Sequence, residues 1–302
     1  DMALRRAQKF LENDNIYFQE GLNEELAATA VWGTQQVNLY QGANYDGVFG
    51  IWYGKGPGVD RSGDVFRHAN AVGTSPTGGV LAITGDDHSA KSSTLPHQSD
   101  HSFYATMLPM LYPANMQEFV EYGLLGIAMS RYSGCWSAFK VTSETAESTG
   151  VVDLSRESRK ILIPTDDDFE MPEGGVHIRL NDVWRDQDFR LQRYKLFAAL
   201  AFAKKNNIDR IVMDSKKSRF GIITSGKSYG DVRQALFELG IDEKVAEKIG
   251  LRLFKVGMPW PLEPEGIRNF CEGLDEILIV EEKRELIENQ LNKVLAANVI
   301  TI

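Results

Sequence analysis

The sequence predicts an α/β fold with two open, mainly parallel sheets and helices on both faces of each. Three observations point there. Strand-like and helix-like segments alternate along most of the chain, as they do where right-handed crossovers build a parallel sheet. The strand-like segments are continuous apolar runs, the pattern of strands buried on both faces. The stretches that follow those runs are polar or rich in Gly and Pro, and open parallel sheets gather ligands beyond the carboxyl ends of their strands.

In chain order, "DMALRRAQKFLEN" is an amphipathic helix without a start signal, and "IYFQEG" reads as a short strand. "NEELAATAVWGTQQVNLY" reads as a helix with Asn23 as its N-cap and acids in its first turn. "DGVFGIWYG" is a buried strand, followed by the Gly-rich turn "GKGPGVDRSGD" and the helix "DVFRHANAVG". "GGVLAITGDD" is the next buried strand. "PMLYP", the helix across "NMQEFVEYGLLGIAMSRYS" and the strand "CWSAFKVT" complete the first unit. From about Ser155 to Gln192 the pattern breaks down, and the acidic "TDDDFEMPEGG" reads as a linker or surface excursion. A second α/β run starts at "YKLFAALAFAKKNN" and continues through the strand "FGIITSG", the helix "YGDVRQALFELG" and the strand "LRLFKVG". It closes with the helix "EPEGIRNFCEGL", the strand "DEILIVEEK" and a last helix from Arg284. "VLAANVITI" ends the sequence as the start of a strand would, and both ends read as cut from something longer.

Composition narrows the function. With 302 residues, 43% apolar and 25% charged, the chain can bury two ordinary cores. A net charge of −9 without a Lys/Arg stripe argues against nucleic-acid binding. No apolar run approaches the ~18–20 residues that span a bilayer, and no signal peptide opens the sequence. The two cysteines, Cys135 and Cys271, are far apart, which excludes a disulfide framework and fits a reducing cytoplasm.

Residues 85–101, "GDDHSAKSSTLPHQSDH", hold three of the five histidines. A metal site, a solvated loop and a ligand-facing loop all compete for them. His97 and His101 have i,i+4 spacing, but Pro96 precedes His97 and no HEXXH motif is present, so no metal ligands are assigned. "GKGPG" (Lys55, Gly56 and Gly58 included) and "SGKS" lack the GxxxxGK(S/T) spacing, so neither is a P-loop. The glycines of "GKGPG" let the backbone pass close to something. In "NEE", Glu24 and Glu25 suit the first turn of a helix. "EEKRE" reads as a solvated start to the last helix.

Taken together, "NEELAATAVWGTQQ", "GVFGIWYGKGPGVDRSGDVFRHAN", "GDDHSAKSSTLPHQSDH", "AMSRYSG", "GKSYGDVRQAL", "VGMPWPLEPEGI" and "EILIVEEKRELIENQL" resemble the fused, single-chain indolepyruvate ferredoxin oxidoreductases. These belong to the thiamine-diphosphate-dependent 2-oxoacid:ferredoxin oxidoreductases. The resemblance runs through most of the chain and is weakest over 155–190. It implies a pyrimidine-binding domain over 1–154 that lacks its N-terminal strand, a linker over 155–190, and a transketolase-C-terminal-like domain over 191–302. The family's GDG…N motif for magnesium and diphosphate, and its CxxC-type cluster ligands, are absent.

The implied reaction is oxidative decarboxylation of an aryl-2-oxo acid to an acyl-CoA, with electrons passed to ferredoxin. Its cofactors are thiamine diphosphate, magnesium and iron–sulfur clusters in the full-length enzyme. None of them is expected to bind this piece tightly, and the piece alone is expected to be inactive. By position in the motif, Glu24 matches the glutamate that shares a proton with N1′ of the aminopyrimidine, with Glu25 as runner-up. Burial between domains would let Glu24 carry that proton. Lys55, Gly56 and Gly58 are expected beside the cofactor, and His88, Lys91, Ser92 and Ser93 at the substrate carboxylate. A diphosphate-binding domain in the same or a partner chain, and a homo-oligomer, are also expected. A non-oxidative, transketolase-like thiamine enzyme and a non-catalytic nucleotide- or CoA-binding module are the rival readings.

Overall fold

The computed structural model describes residues 2–155 and 160–296. Helix α1 (Met2–Asn13) buries none of its residues, and residues 15–22 that follow are irregular and largely exposed. The strand expected across "IYFQEG" therefore does not form. A strand needs a hydrogen-bonded neighbour, and none of the described strands pairs with this stretch. Helix α2 (Glu24–Thr34) starts where its cap predicts, with Asn23 Oδ1 accepting from the Leu26 amide at 2.9 Å.

Strand β1 (Phe49–Lys55) runs directly into the short α3 (Gly56–Arg61), with Pro57 in its first turn where a missing N–H costs nothing. The expected glycine-rich turn is thus largely helical. Next come α4 (Gly63–Val72), β2 (Gly79–Asp86), α5 (Asp100–Thr106), β3 (Met110–Leu111), α6 (Met116–Ser133), β4 (Ser137–Thr142) and the single turn α7 (Ser143–Ala146). The sheet order is β1-β2-β4-β3, all parallel. One face buries Trp52, Val80, Ala82, Met110 and Ala138 with Phe66 and Phe103. The other buries Leu81, Leu111 and Phe139 under Tyr122, Leu125 and Met129 of α6.

Within the stretch read as a linker lies a helix, α8 (Trp184–Arg190), and a π-helical turn (Leu191–Lys195) joins it to α9 (Leu196–Lys205). Residues just before α8 are tied to the first unit, with the Ile178 amide donating to Thr74 O, between α4 and β2, at 3.1 Å. The second sheet contains β5 (Arg210–Met213), β6 (Phe220–Ser225), β7 (Leu251–Val256) and β8 (Glu276–Val280), in the order β5-β7-β6-β8. Strand β5 is antiparallel to β7, so this sheet is mixed. Neither β5 nor the short α11 (Glu243–Ile249) is evident in the sequence pattern, because each is short and lies among charged residues. Helices α10 (Gly226–Glu238), α12 (Pro264–Cys271) and α13 (Ile287–Leu295) complete the second unit. Among the described residues no helix is long and apolar enough to cross a membrane.

The sheets meet at their carboxyl ends. The Met110 amide donates to Trp260 O at 2.6 Å and the Tyr112 amide to Gly257 O at 2.9 Å, so β3 bridges to the loop after β7. That loop is fixed from below by Asp209, whose Oδ1 accepts from the Gly257 and Met258 amides at 2.7 and 2.9 Å. Burial pushes the Asp209 carboxyl up to about 7 from 3.8, against those two amides. A raised folded-state value means that protonation favours the fold. Its contribution is complete below the unfolded value and is lost as pH rises through about 7. Asp209→Asn keeps the acceptor and removes the titration. Thermal melts of the wild type should fall between about pH 5 and pH 8, and those of the variant should fall less; parallel curves would show that Asp209 titrates normally.

Candidate functional site

The sequence-predicted residues sit beyond the carboxyl ends of β1 and β2, facing the loop that follows β8. Glu24 lies half-buried in the first turn of α2, and its backbone oxygen accepts from Trp52 Nε1 at 3.0 Å. A Cβ on Gly58 would come within 2.5 Å of Glu24 Cγ, and one on Gly56 would overlap the His97 ring. Both glycines are therefore fixed by protein side chains, which is the close backbone approach that "GKGPG" announces. They do not present an open cradle on that side. Among the described residues no side-chain partner holds the Glu24 carboxylate.

Lys55 leaves the glycines and reaches the loop, donating to Ser92 O at 2.7 Å, Ser92 Oγ at 3.0 Å and Ser93 Oγ at 3.2 Å. The loop turns on Asp87, whose carboxylate accepts from the Ser92 and Lys91 amides. These amides hold it below its ordinary value. Lys91 itself is exposed. Lys55, Ser92 and Ser93 thus form one cluster, while His88 turns away from them toward the second sheet. Its Nδ1 is 3.0 Å from His97 O and its Nε2 is 3.4 Å from Glu282 Oε2.

Beneath the loop lies a charged core that sequence reasoning missed. Lys140, in β4, is 1% exposed. Its ammonium donates to Asp100 Oδ2 at 2.7 Å and stands 3.9 Å from Asp86 Oδ2, over the Tyr112 ring. Burial opposes the charge, but Asp100 and Asp86 keep the amine above its ordinary value. Asp86 also accepts from Ser99 Oγ at 2.6 Å and from the Ser99 amide at 2.9 Å. His97 Nε2 meets Asp60 Oδ2 at 2.8 Å, and Ser102 Oγ donates to Asp60 Oδ1. Both ends of the loop are thereby anchored, Asp86 at the end of β2 and Asp100 at the start of α5. The signal for Lys140 was a lysine inside an apolar strand, since a lysine is buried only when paired. Asp100 and His101, read as loop, open α5. Among the described residues no group of three or more His, Cys, Asp or Glu side chains is placed to hold a metal ion.

Lys140→Met should leave Asp86 and Asp100 as uncompensated buried charges and cost about 3–5 kcal/mol in urea denaturation. Adding Asp100→Asn should recover part of that loss. A cost below about 1 kcal/mol would mean that the pair is solvated.

Comparison with known proteins gives similarities over most of the chain. Residues 209–298 match the family described as the indolepyruvate ferredoxin oxidoreductase middle domain. The "Indolepyruvate oxidoreductase subunit IorA" of Methanothermobacter marburgensis is 24% identical over 290 residues, covering 94% of this chain and 42% of that protein. Its counterpart in Archaeoglobus fulgidus is 25% identical, covering 91% and 40%. The chain thus spans about two fifths of these relatives' length. The fold matches a 2-oxoglutarate:ferredoxin oxidoreductase from Magnetococcus marinus with a TM-score of 0.65 at 13% identity, over 97% of this chain and 54% of that one. It also matches a split-gene transketolase with a TM-score of 0.55 at 12% identity, over 97% and 73%. Residues 209–298 are thus similar to the indolepyruvate ferredoxin oxidoreductase middle domain, most of the chain is similar to part of the IorA subunits, and the fold is shared with the 2-oxoglutarate:ferredoxin oxidoreductase and transketolase structures.

Proposed function

We propose that this chain supplies the pyrimidine-binding domain (1–154) and the transketolase-C-like domain (191–302) of a thiamine-diphosphate-dependent oxidoreductase. The whole enzyme would decarboxylate an aryl-2-oxo acid oxidatively to its acyl-CoA and pass the electrons to ferredoxin. The observation that carries this reading is the placement of Glu24: on the first turn of a helix, half-buried against Gly58, with its backbone locked by Trp52 and its carboxylate unclaimed among the described residues.

That arrangement fits an aminopyrimidine. When bound, thiamine diphosphate supplies the carbon nucleophile and the electron sink. Glu24 holds and exchanges the proton at N1′, and Gly58 keeps the carboxylate at the depth where that bond forms. Lys55 orders Ser92 and Ser93, which with Lys91 offer donors to the carboxylate of a 2-oxo acid, whereas His88, expected beside them, has both ring nitrogens directed at His97 O and Glu282.

The residues present do not fit an iron–sulfur cluster, since Cys135 is buried in the first unit and Cys271 lies in α12 of the second. Magnesium, the clusters, and the CoA and ferredoxin contacts are assigned to the length of the relatives that this chain does not cover. So is the diphosphate-binding domain, in the same or a partner chain of a homo-oligomer.

In the full-length enzyme, Glu24→Gln keeps the shape but cannot share the proton. It should lower kcat by about 10²–10⁴-fold with KM little changed. A drop under about tenfold would leave Glu24 as a helix-start residue only. Lys91→Ala should lower kcat/KM for the 2-oxo acid by about 10- to 150-fold, the worth of one charge-assisted hydrogen bond, with the melting temperature unchanged. Unaltered kinetics would transfer the carboxylate contact to Ser92 or Ser93.

A further inference from the structure

The stretch "EEKRE", a solvated helix start by its charge pattern, is built into the site instead. Glu281 caps α13, accepting from the Leu286, Ile287 and Glu288 amides at 2.8–3.0 Å. The next four residues all bond to the loop from the first sheet or to the first turn of α5 that ends it. The Glu282 and Arg284 carbonyls accept from Gln98 Nε2 at 3.3 Å. Lys283 Nζ donates to Pro96 O at 2.8 Å. His101 Nε2 lies 3.2 Å from Glu285 O.

The Glu282 side chain points into the cleft. Its Oε2 accepts from Tyr112 OH at 2.5 Å and faces His88 Nε2 at 3.4 Å, with side-chain exposures of 17% for Glu282 and 12% for His88. Burial would favour the neutral acid, but His88, Tyr112 and Lys140 hold the carboxyl down at about 2. A carboxylate kept charged at this depth needs its partners and fixes them in return. The His97 carbonyl can only accept, so His88 Nδ1 donates to it; Nε2 stands 3.4 Å from Glu282 Oε2 without hydrogen-bond geometry, a contact that attracts when the ring carries both protons.

We propose that Glu282 is a positioning residue. From the second sheet it fixes the ring of His88, and with it the backbone of residues 88–97, in the one conformation that presents the loop to the substrate carboxylate. The substrate half of this proposal rests on the function proposed above; the clamp itself does not. Movement of the second unit against the first would therefore change substrate affinity without any movement of Glu24.

The test has two arms. On this 302-residue chain, trypsin cleavage after the exposed Lys91 is followed by mass spectrometry, because local opening governs such cleavage. Glu282→Ala should speed that cut about tenfold or more, and Glu282→Gln, which can still accept from Tyr112, should speed it less. Cleavage at wild-type rates in both variants overturns the proposal. In the full-length enzyme both variants should raise KM for the 2-oxo acid about tenfold or more, with kcat within about threefold. Faster cleavage with unchanged KM also overturns it, since the contact would then serve the fold alone. A full-length wild type that turns over no aryl-2-oxo acid sinks the proposed function instead, and the protease arm then decides the clamp by itself.

Discussion

The site depends on one buried ammonium. Lys140 lies near the end of β4 with Asp100 and Asp86 as its counter-ions, and these carboxylates are the two ends of the loop over residues 86–100. Desolvating a lysine in this position costs several kcal/mol, recovered only when the pairing geometry is kept. The loop is therefore not free to choose its anchor points. Asp86 ends β2, Asp100 starts α5, and Ser99 bonds back to Asp86. Tyr112, stacked under the ammonium, then hands the network to Glu282.

The second contact between the units uses the same device. Lys255, near the end of β7, is buried against Glu118 at the start of α6, and Arg210 of β5 reaches the same carboxylate at 3.0 Å. Burial works against the charged form of Glu118, but Lys255 and Arg210 more than offset it and hold the carboxyl below its ordinary value. Both lysines occupy the same place in the sequence "FKV", one in each sheet. Buried ion pairs add little net stability compared with apolar contacts, but their geometry admits few arrangements. Two such clusters flanking the backbone bridge from Met110 to Trp260 set the units in one register.

The catalytic proposal is mechanically coupled to this frame through α3. Gly56 receives His97 and Gly58 receives Glu24, on roughly opposite sides of the same helical turn. Asp60, further along α3, bonds both His97 and Ser102. Glu24 and the loop are thus referenced to one six-residue helix, and Lys55 at its start adds the tie to Ser92 and Ser93.

The sequence alone determined what depends on local pattern. Apolar runs specified β1, β2, β4, β6, β7 and β8, but only the central strands are buried on both faces; β1, expected to be buried, and β8 are edge strands that expose Phe49, Ile51, Tyr53 and Leu278. Asn23 and the glycines of "GKGPG" announced a cap and a close approach, because each follows from backbone chemistry, while the helix that starts at Gly56 was read as a turn. The tertiary structure decided everything that pairs residues far apart in the chain. Short β5 exists only because β7 offers it an antiparallel edge, and "IYFQEG" is irregular, pairing with none of the described strands. "EEKRE" looked solvated because its charge pattern suits water. It is instead part of the site, because His88, Tyr112 and Gln98, between 170 and 195 positions earlier, bring it buried partners. The cost of burying a charge is set by its neighbours in space, and a single sequence does not state which those are.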